Sequence, residues 1–153
     1  MIRAQPKDVV PHLRWHLARL GVYSQDDALL EGIVLAQRER SKTLKEMAEA
    51  SRFFFVDEVV LDPKAAEKHL TPDARALLRE LTARIDALPD WNTGALHAVL
   101  EALAQEKGLG LGKVAQPLRV AVTGSTISPP IDQTLTLLGR ARTLVRLQRA
   151  LSA

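Results

Sequence analysis

Apolar residues in this chain recur at three- and four-residue spacing, in runs closed by prolines, glycines and capping residues. Nothing alternates with the period of two that several strands would require. Asp8 to Leu20 carries Val9, Val10, Leu13, Leu17 and Leu20 at helical spacing, with Pro11 read as a first-turn residue and Gly21 as the stop. Ser24 or Asp26 caps a second run that reaches Arg40, with Leu29, Leu30, Ile33, Val34 and Leu35 as its inward stripe. Thr43 to Arg52 continues as helix into Phe53, Phe54 and Phe55. Consecutive residues face different ways, so this triplet suits a core plug better than a platform for stacked bases.

The polar, extended stretch from Asp57 to Pro63 is the candidate boundary. Beyond it Lys64 to Leu70 gives a short helix, and Thr71-Pro72-Asp73 opens another whose stripe is Leu77, Leu78, Leu81, Ile85 and Leu88, closed by Pro89. Asn92 or Thr93 caps a helix to Lys107, with Leu96, Val99, Leu100 and Leu103 inward and Trp91 stapling its entry. The expectation is an all-α fold of two small helix-bundle subdomains, over residues 1–60 and 61–153.

An apolar fraction of 46% supplies a core, and the absence of cysteine removes disulfides, thiolate metal sites and a cysteine nucleophile. No apolar run approaches the roughly 20 residues of a membrane span, and MIRAQPKDVV lacks the apolar region of a signal peptide. These features predict a soluble, cytoplasmic protein that touches no membrane.

Catalytic chemistry finds little to build on. His12 and His16 lie four apart, but no third ligand accompanies them and no glutamate follows His12 in the zinc-protease pattern; His69 and His97 stand alone. GLGLGK, Gly108 to Lys113, has neither the spacing nor the strand-turn-helix context of a phosphate loop, and reads as a helix stop and a turn. No catalytic residue and no metal site are assigned, and a self-contained hydrolase ranks below any binding role.

Charge is segregated. Residues 1–106 hold 14 Lys and Arg against 17 Asp and Glu, whereas residues 107–153 hold seven basic residues against one acid, Asp132. Within the basic part, Lys113 to Leu138 places two helix-like runs around a joint of Thr123, Gly124, Ser125, Thr126, Ser128, Pro129 and Pro130. Arg119 precedes the joint, and Arg140, Arg142, Arg146 and Arg149 follow it, a setting suited to an anionic partner.

The run GKVAQPLRVAVTGSTISPPI, with the following LLGR, the earlier LAQRERSKTLKEMAEASRFFF and the GLGLGKVAQPLR turn, resembles the C-terminal anticodon-binding region of the bacterial glutamate–tRNA ligase family (glutamyl-tRNA synthetases). The resemblance covers the chain from about His12 onward. It implies an α-helical cage of two bundles, set in the full enzyme behind a Rossmann-type catalytic domain that uses ATP and Mg and is absent from this chain. The chain is then either a fragment or a stand-alone relative, non-catalytic by itself, with no cofactor of its own. The implied partner is the glutamate tRNA through its anticodon loop, with no DNA, and the expected state is a monomer.

Carried over by position, the resemblance assigns Gln116 and Arg119 to the anticodon, Ser128, Pro129 and Ile131 to the joint under its unstacked bases, and Arg40 to the third anticodon base. Ser128 stands where some members have Thr, and Pro130 where some have Gly. Physical chemistry points the same way: single-stranded bases are read by planar Arg and amide side chains, and residues three apart on a helix share a face. Arg140, Arg142 and Arg146, with Arg149, are expected to touch phosphate, adding affinity without specificity. The competing expectation is a helical protein-interaction module that keeps the fold without the RNA role.

Overall fold

A computed structural model describes residues 4–152, and the chain divides into two compact units, Met1–Asp57 and Glu58–Ala153. Among the described residues the secondary structure is helical throughout, with nine α-helices and one 3-10 turn.

The first unit holds α1 (Pro6–Arg19), α2 (Asp27–Gln37), α3 (Leu44–Ser51) and the 3-10 turn Arg52–Phe54. Helix α1 packs on both α2 and α3. Val9, Val10, Leu13 and Leu17 of α1 meet Leu30, Ile33 and Val34 of α2 and Met47 of α3 in one core, all buried. Each such side chain withdraws enough apolar surface to stabilise the unit by about 1.5–3 kcal/mol. Phe54 enters the core at 1% exposure, with Phe53 tilted against it at a ring separation of 4.1 Å, so the triplet contributes one plug and no flat platform.

Three details of this unit differ from the sequence expectation. Helix α1 begins at Pro6, which takes the first-turn role, so Pro11 lies inside the helix on an exposed position. Its missing N–H leaves a carbonyl one turn back without its helical donor, a loss that water can offset there. Helix α2 stops at Gln37, because the N–H groups of Arg40 and Ser41 both turn back to the Gln37 carbonyl, at 2.9 and 3.0 Å. Leu35, placed in the buried stripe by periodicity, is 52% exposed.

The second unit comprises α4 (Pro63–His69), α5 (Pro72–Asp86), α6 (Thr93–Lys107), α7 (Leu111–Thr123), α8 (Ile131–Leu138) and α9 (Arg140–Ser152). Asp62, Thr71 and Asn92 cap α4, α5 and α6 by accepting from the N–H of Ala65, Ala74 and Ala95. Gly108, at φ +65°, closes α6, and Gly110 opens α7, so the glycine run is a stop and a start. Helix α7 is the hub: α4, α5, α6, α8 and α9 all pack on it. Helix α8 is tied to the entry of α6, since Trp91 Nε1 donates to the Leu135 carbonyl at 2.8 Å.

Gly124 ends α7 at φ +87°, and a Cβ there would stand 2.3 Å from the Val60 carbonyl oxygen. The Asp62 N–H donates to the Gly124 carbonyl at 2.7 Å. The extended segment therefore runs against the joint, and Glu58, Val59 and Val60 group with the second unit rather than the first.

Two of the arginines expected on phosphate hold the fold instead. Arg146 is 2% exposed and donates from Nη1 to the Val122 carbonyl at 2.8 Å, so it cannot also reach a phosphate in solvent. Burial, and then the charges of Arg142 and Arg149, push its pKa down to about 10, which leaves it protonated at neutral pH. Arg140 lies over the Trp91 ring at 5.2 Å, and donates to the carbonyls of Asp86 at 2.8 Å and Leu88 at 2.6 Å, closing the end of α5. Arg142 and Arg149 are exposed on α9, and Arg149 pairs with Glu58 at 3.3 Å.

Gly124→Ala combines a disfavoured positive φ with a backbone collision, and is expected to cost roughly 2–4 kcal/mol, read as a lower urea midpoint with unchanged slope. Arg146→Ala empties a buried site and strips a donor from the Val122 carbonyl. Chemical denaturation should show a loss of about 2–4 kcal/mol; a loss below about 0.5 kcal/mol would return Arg146 to the surface.

Candidate nucleic-acid interface

The site is assembled from the exit of α7, the joint and the entry of α8. Most of α7 is enclosed by its neighbours, with Val114, Leu118, Val120 and Val122 all at 0% exposure. One strip stays open: Lys113 is exposed, and Gln116 and Arg119 are half-buried. Steps of three residues keep these side chains adjacent while drifting around the helix.

Arg119 is held on two sides. Its Nε donates to Ser128 Oγ at 2.9 Å, and its Nη1 donates to Gln116 Oε1 at 3.0 Å. Guanidinium has only donors, so the contact fixes the Gln116 amide with its oxygen toward Arg119 and its NH2 turned away. Ser128 Oγ in turn donates to the Pro129 carbonyl at 2.7 Å, which leaves a lone pair for Arg119. The planar group is thus set before any ligand arrives.

The joint is braced by short hydroxyl side chains, of which sequence reasoning places Thr123, Ser125 and Ser128 in the joint without assigning their partners, and passes over Thr134. Thr123 Oγ1 donates to the Arg119 carbonyl at 2.7 Å and accepts from the Ser125 N–H at 3.2 Å. Ser125 Oγ accepts from the Ile127 N–H at 3.2 Å. Thr134, fully buried, offers its hydroxyl proton to the Pro129 and Pro130 carbonyls, at 3.0 and 3.1 Å. The signal lay in the sequence as hydroxyl residues within two to five positions of the backbone groups at a helix end closed by Gly and Pro.

The joint's exposed apolar surface is not where the resemblance implied. Ser128, Pro129 and Ile131 are buried, with Ser128 at 5% and Ile131 at 6%, so their side chains support the surface from beneath. The apolar residues that face solvent are Ile127, at 76%, and Pro130. Two neighbouring prolines are too stiff to present every residue, and the turn that buries Ser128 under Arg119 expels Ile127.

Arg40 belongs to the first unit and is exposed on the turn between α2 and α3. That turn is pinned at both ends. Gln37, 3% exposed, donates from Nε2 to Ser51 Oγ at 3.3 Å. Thr43 accepts from the Glu46 N–H at 3.1 Å, while Glu46 Oε2 accepts from the Lys42 N–H at 3.0 Å, a variant of the capping box displaced by one residue.

Among the described residues no cluster of three or more His, Asp or Glu is placed to hold a metal ion. His97 sits between Glu101 at 3.0 Å and Asp132 at 3.5 Å, a surface bridge from α6 to α8. No described helix is long and apolar enough to cross a membrane. The fixed donors of Gln116 and Arg119 stand on the helix that leads into the joint bearing exposed Ile127 and Pro130.

Known proteins carry the same arrangement of helices. A family model described as the anticodon binding domain matches residues 7–151. Glutamate–tRNA ligase 1 of Alkalilimnicola ehrlichii is 46% identical over 151 residues, 99% of this chain and 32% of that protein. Its counterpart in Nitrosococcus oceani is 45% identical over 147 residues, 96% of this chain and 31% of that protein. A solved glutamate tRNA ligase from Elizabethkingia meningosepticum, in complex with its amino acid, aligns at a TM-score of 0.89 and 28% identity, covering 98% of this chain and 30% of that one. Glutamate–tRNA synthetase from Elizabethkingia anophelis aligns at 0.83 and 28%, over 98% and 29%. The chain spans about a third of the length of the curated relatives it matches. Matched from residue 7 to residue 151 by one model and helical throughout its described length, the chain belongs to the anticodon-binding domain family.

Proposed function

We propose that this chain binds the anticodon loop of the glutamate tRNA and, within a full-length glutamate–tRNA ligase, contributes tRNA selection to the ATP- and Mg-dependent attachment of glutamate. The observation that carries the reading is the Gln116–Arg119–Ser128 arrangement in a member of this family, where a glutamine and an arginine are immobilised side by side next to exposed apolar residues. Sequence-specific RNA recognition takes splayed single-stranded bases, whose edges are read by such planar groups and whose faces rest on apolar surface.

Each residue then has a task. Gln116 turns its NH2 outward as a donor, and Arg119 presents a fixed guanidinium edge. Ser128 holds Arg119, while Pro129 and Ile131 hold the backbone of the joint. Ile127 and Pro130 offer the surface on which a base can lie. Arg40, from its pinned turn, discriminates the third anticodon base. Arg142 and Arg149, the exposed arginines of α9, supply phosphate contact. The first and second units serve as two anticodon-binding subdomains of a monomer that acts in the cytoplasm.

Titration of the chain with glutamate-tRNA anticodon stem-loops, unaltered and with each anticodon base changed, tests the reading directly. Each base change should weaken binding by about 1–3 kcal/mol, the cost of a lost bidentate contact by analogy with DNA readout; equal affinity for every variant would sink it. Arg40→Gln should erase the preference at the third base and leave the other two. Ser128→Ala removes the acceptor that orients Arg119 and should lower cognate affinity by about 1 kcal/mol, with Ser128→Thr restoring it.

A further inference from the structure

A groove of about 1030 Å³ opens in the second unit, between α5 and the turn that joins α6 to α7. Its floor is apolar, from Ala74, Leu77, Leu109 and Pro117, and its rim carries Lys68, Lys107 and Lys113. Gln116 lines it as well. The groove is therefore continuous with the recognition strip, since the same glutamine accepts from Arg119 at 3.0 Å. Asp73 and Glu80 also line it, but Glu80 is committed to Lys107 at 2.9 Å and Arg84 at 3.1 Å. Among the described residues, Lys68 and Lys113 stand in no ion pair within 4.0 Å, so the rim has cationic charge to spare.

The backbone of the groove is bare at Gly112, where the fold does not ask for it. Gly110 is the N-cap of α7, a position that favours glycine, whereas Gly112 caps nothing and has no positive φ. A Cβ built on either meets nothing within 4 Å. Gly112 lies within α7, where glycine is the poorest helix former after proline. Gly124 offers the contrast, being demanded by both its φ and its neighbours. A glycine that neither its φ nor its neighbours require leaves the backbone open to close approach by a ligand.

We propose that this groove receives the sugar–phosphate backbone of the RNA strand adjoining the anticodon loop, with Lys68 and Lys113 on its phosphates and Gly112 allowing the strand to lie against α7. The inference rests on the function proposed above. From Arg119 to Lys113 the strip runs about 9 Å along the helix axis, so a strand read at Gln116 and Arg119 passes the groove as its next contact. The apolar floor faces sugars and base faces, and the lysines, unlike the fixed Arg119, act as mobile point charges without sequence preference.

The test is RNA binding by the full chain across a salt series, with a glutamate-tRNA anticodon stem-loop and the same RNA carrying a changed anticodon. The double variant Lys68→Ala, Lys113→Ala should bind both RNAs about tenfold more weakly, and flatten the dependence of log K on log salt by roughly 1–2. The ratio between the two RNAs should stay that of the unaltered chain. Gly112→Ala should hold or raise the urea midpoint while weakening RNA binding several-fold, a split that a purely structural glycine would not produce. Unchanged affinity and salt slope in the lysine variant, with loss of discrimination still seen in Gln116→Ala, would empty the groove of RNA and leave the anticodon reading standing. Polyglutamate bound by the unaltered chain but not by the lysine variant, with RNA affinity unchanged, would assign the groove to an acidic peptide. Failure of the unaltered chain to bind either stem-loop would overturn the functional reading and this inference together.

Discussion

The enclosure of α7 is the constraint on which the second unit depends. Five helices pack around it, and its valines and Leu118 are fully buried. A helix so covered needs apolar or small residues on nearly every side, and a polar side chain survives only where no neighbour lies or, like Thr123, where the backbone satisfies its hydroxyl. The Lys113–Gln116–Arg119 strip is that gap. The packing that stabilises the unit thereby also selects which residues can meet a ligand, and holds them on a helix that cannot shift without opening the core.

The joint extends this logic to a segment without regular structure. Helix ends leave carbonyls and N–H groups without partners, and prolines and a glycine prevent the helix from continuing to satisfy them. Thr123, Ser125, Ser128 and Thr134 meet that need with hydroxyls, and Ser128 uses its remaining capacity to orient Arg119. One network therefore serves both stability and presentation. The arginines beyond it divide by environment: Arg140 and Arg146 are consumed by carbonyls of the fold, and Arg142 and Arg149 are exposed, Arg149 in an ion pair with Glu58. Four residues of one type on one helix cannot share one role when the helix has a buried face.

Helix content was legible because it follows from local rules. Thr71-Pro72-Asp73, Asn92 and Gly108 act at the ends of helices as their chemistry requires. Errors arose where a residue's local preference and its neighbours disagree. Periodicity places Leu35 inward, yet it is 52% exposed; Pro11 suits a first turn, yet the chain begins its helix five residues earlier, at Pro6. Gly124 looks from the sequence like any turn glycine, and only the Val60 carbonyl against it makes it irreplaceable.

By itself the sequence determined the all-helical class, the caps and breaks, and the pairing of Gln116 with Arg119 on one helix face, because these depend on spacing along a single element. Tertiary structure alone decided that Ser128 orients Arg119, that Ser128 and Ile131 are buried while Ile127 is presented, that Arg146 lies inside, and that Lys68, Lys107 and Lys113 rim one groove. Each of these is a relation between atoms on different elements, set by how the helices pack around α7, and no local rule encodes it.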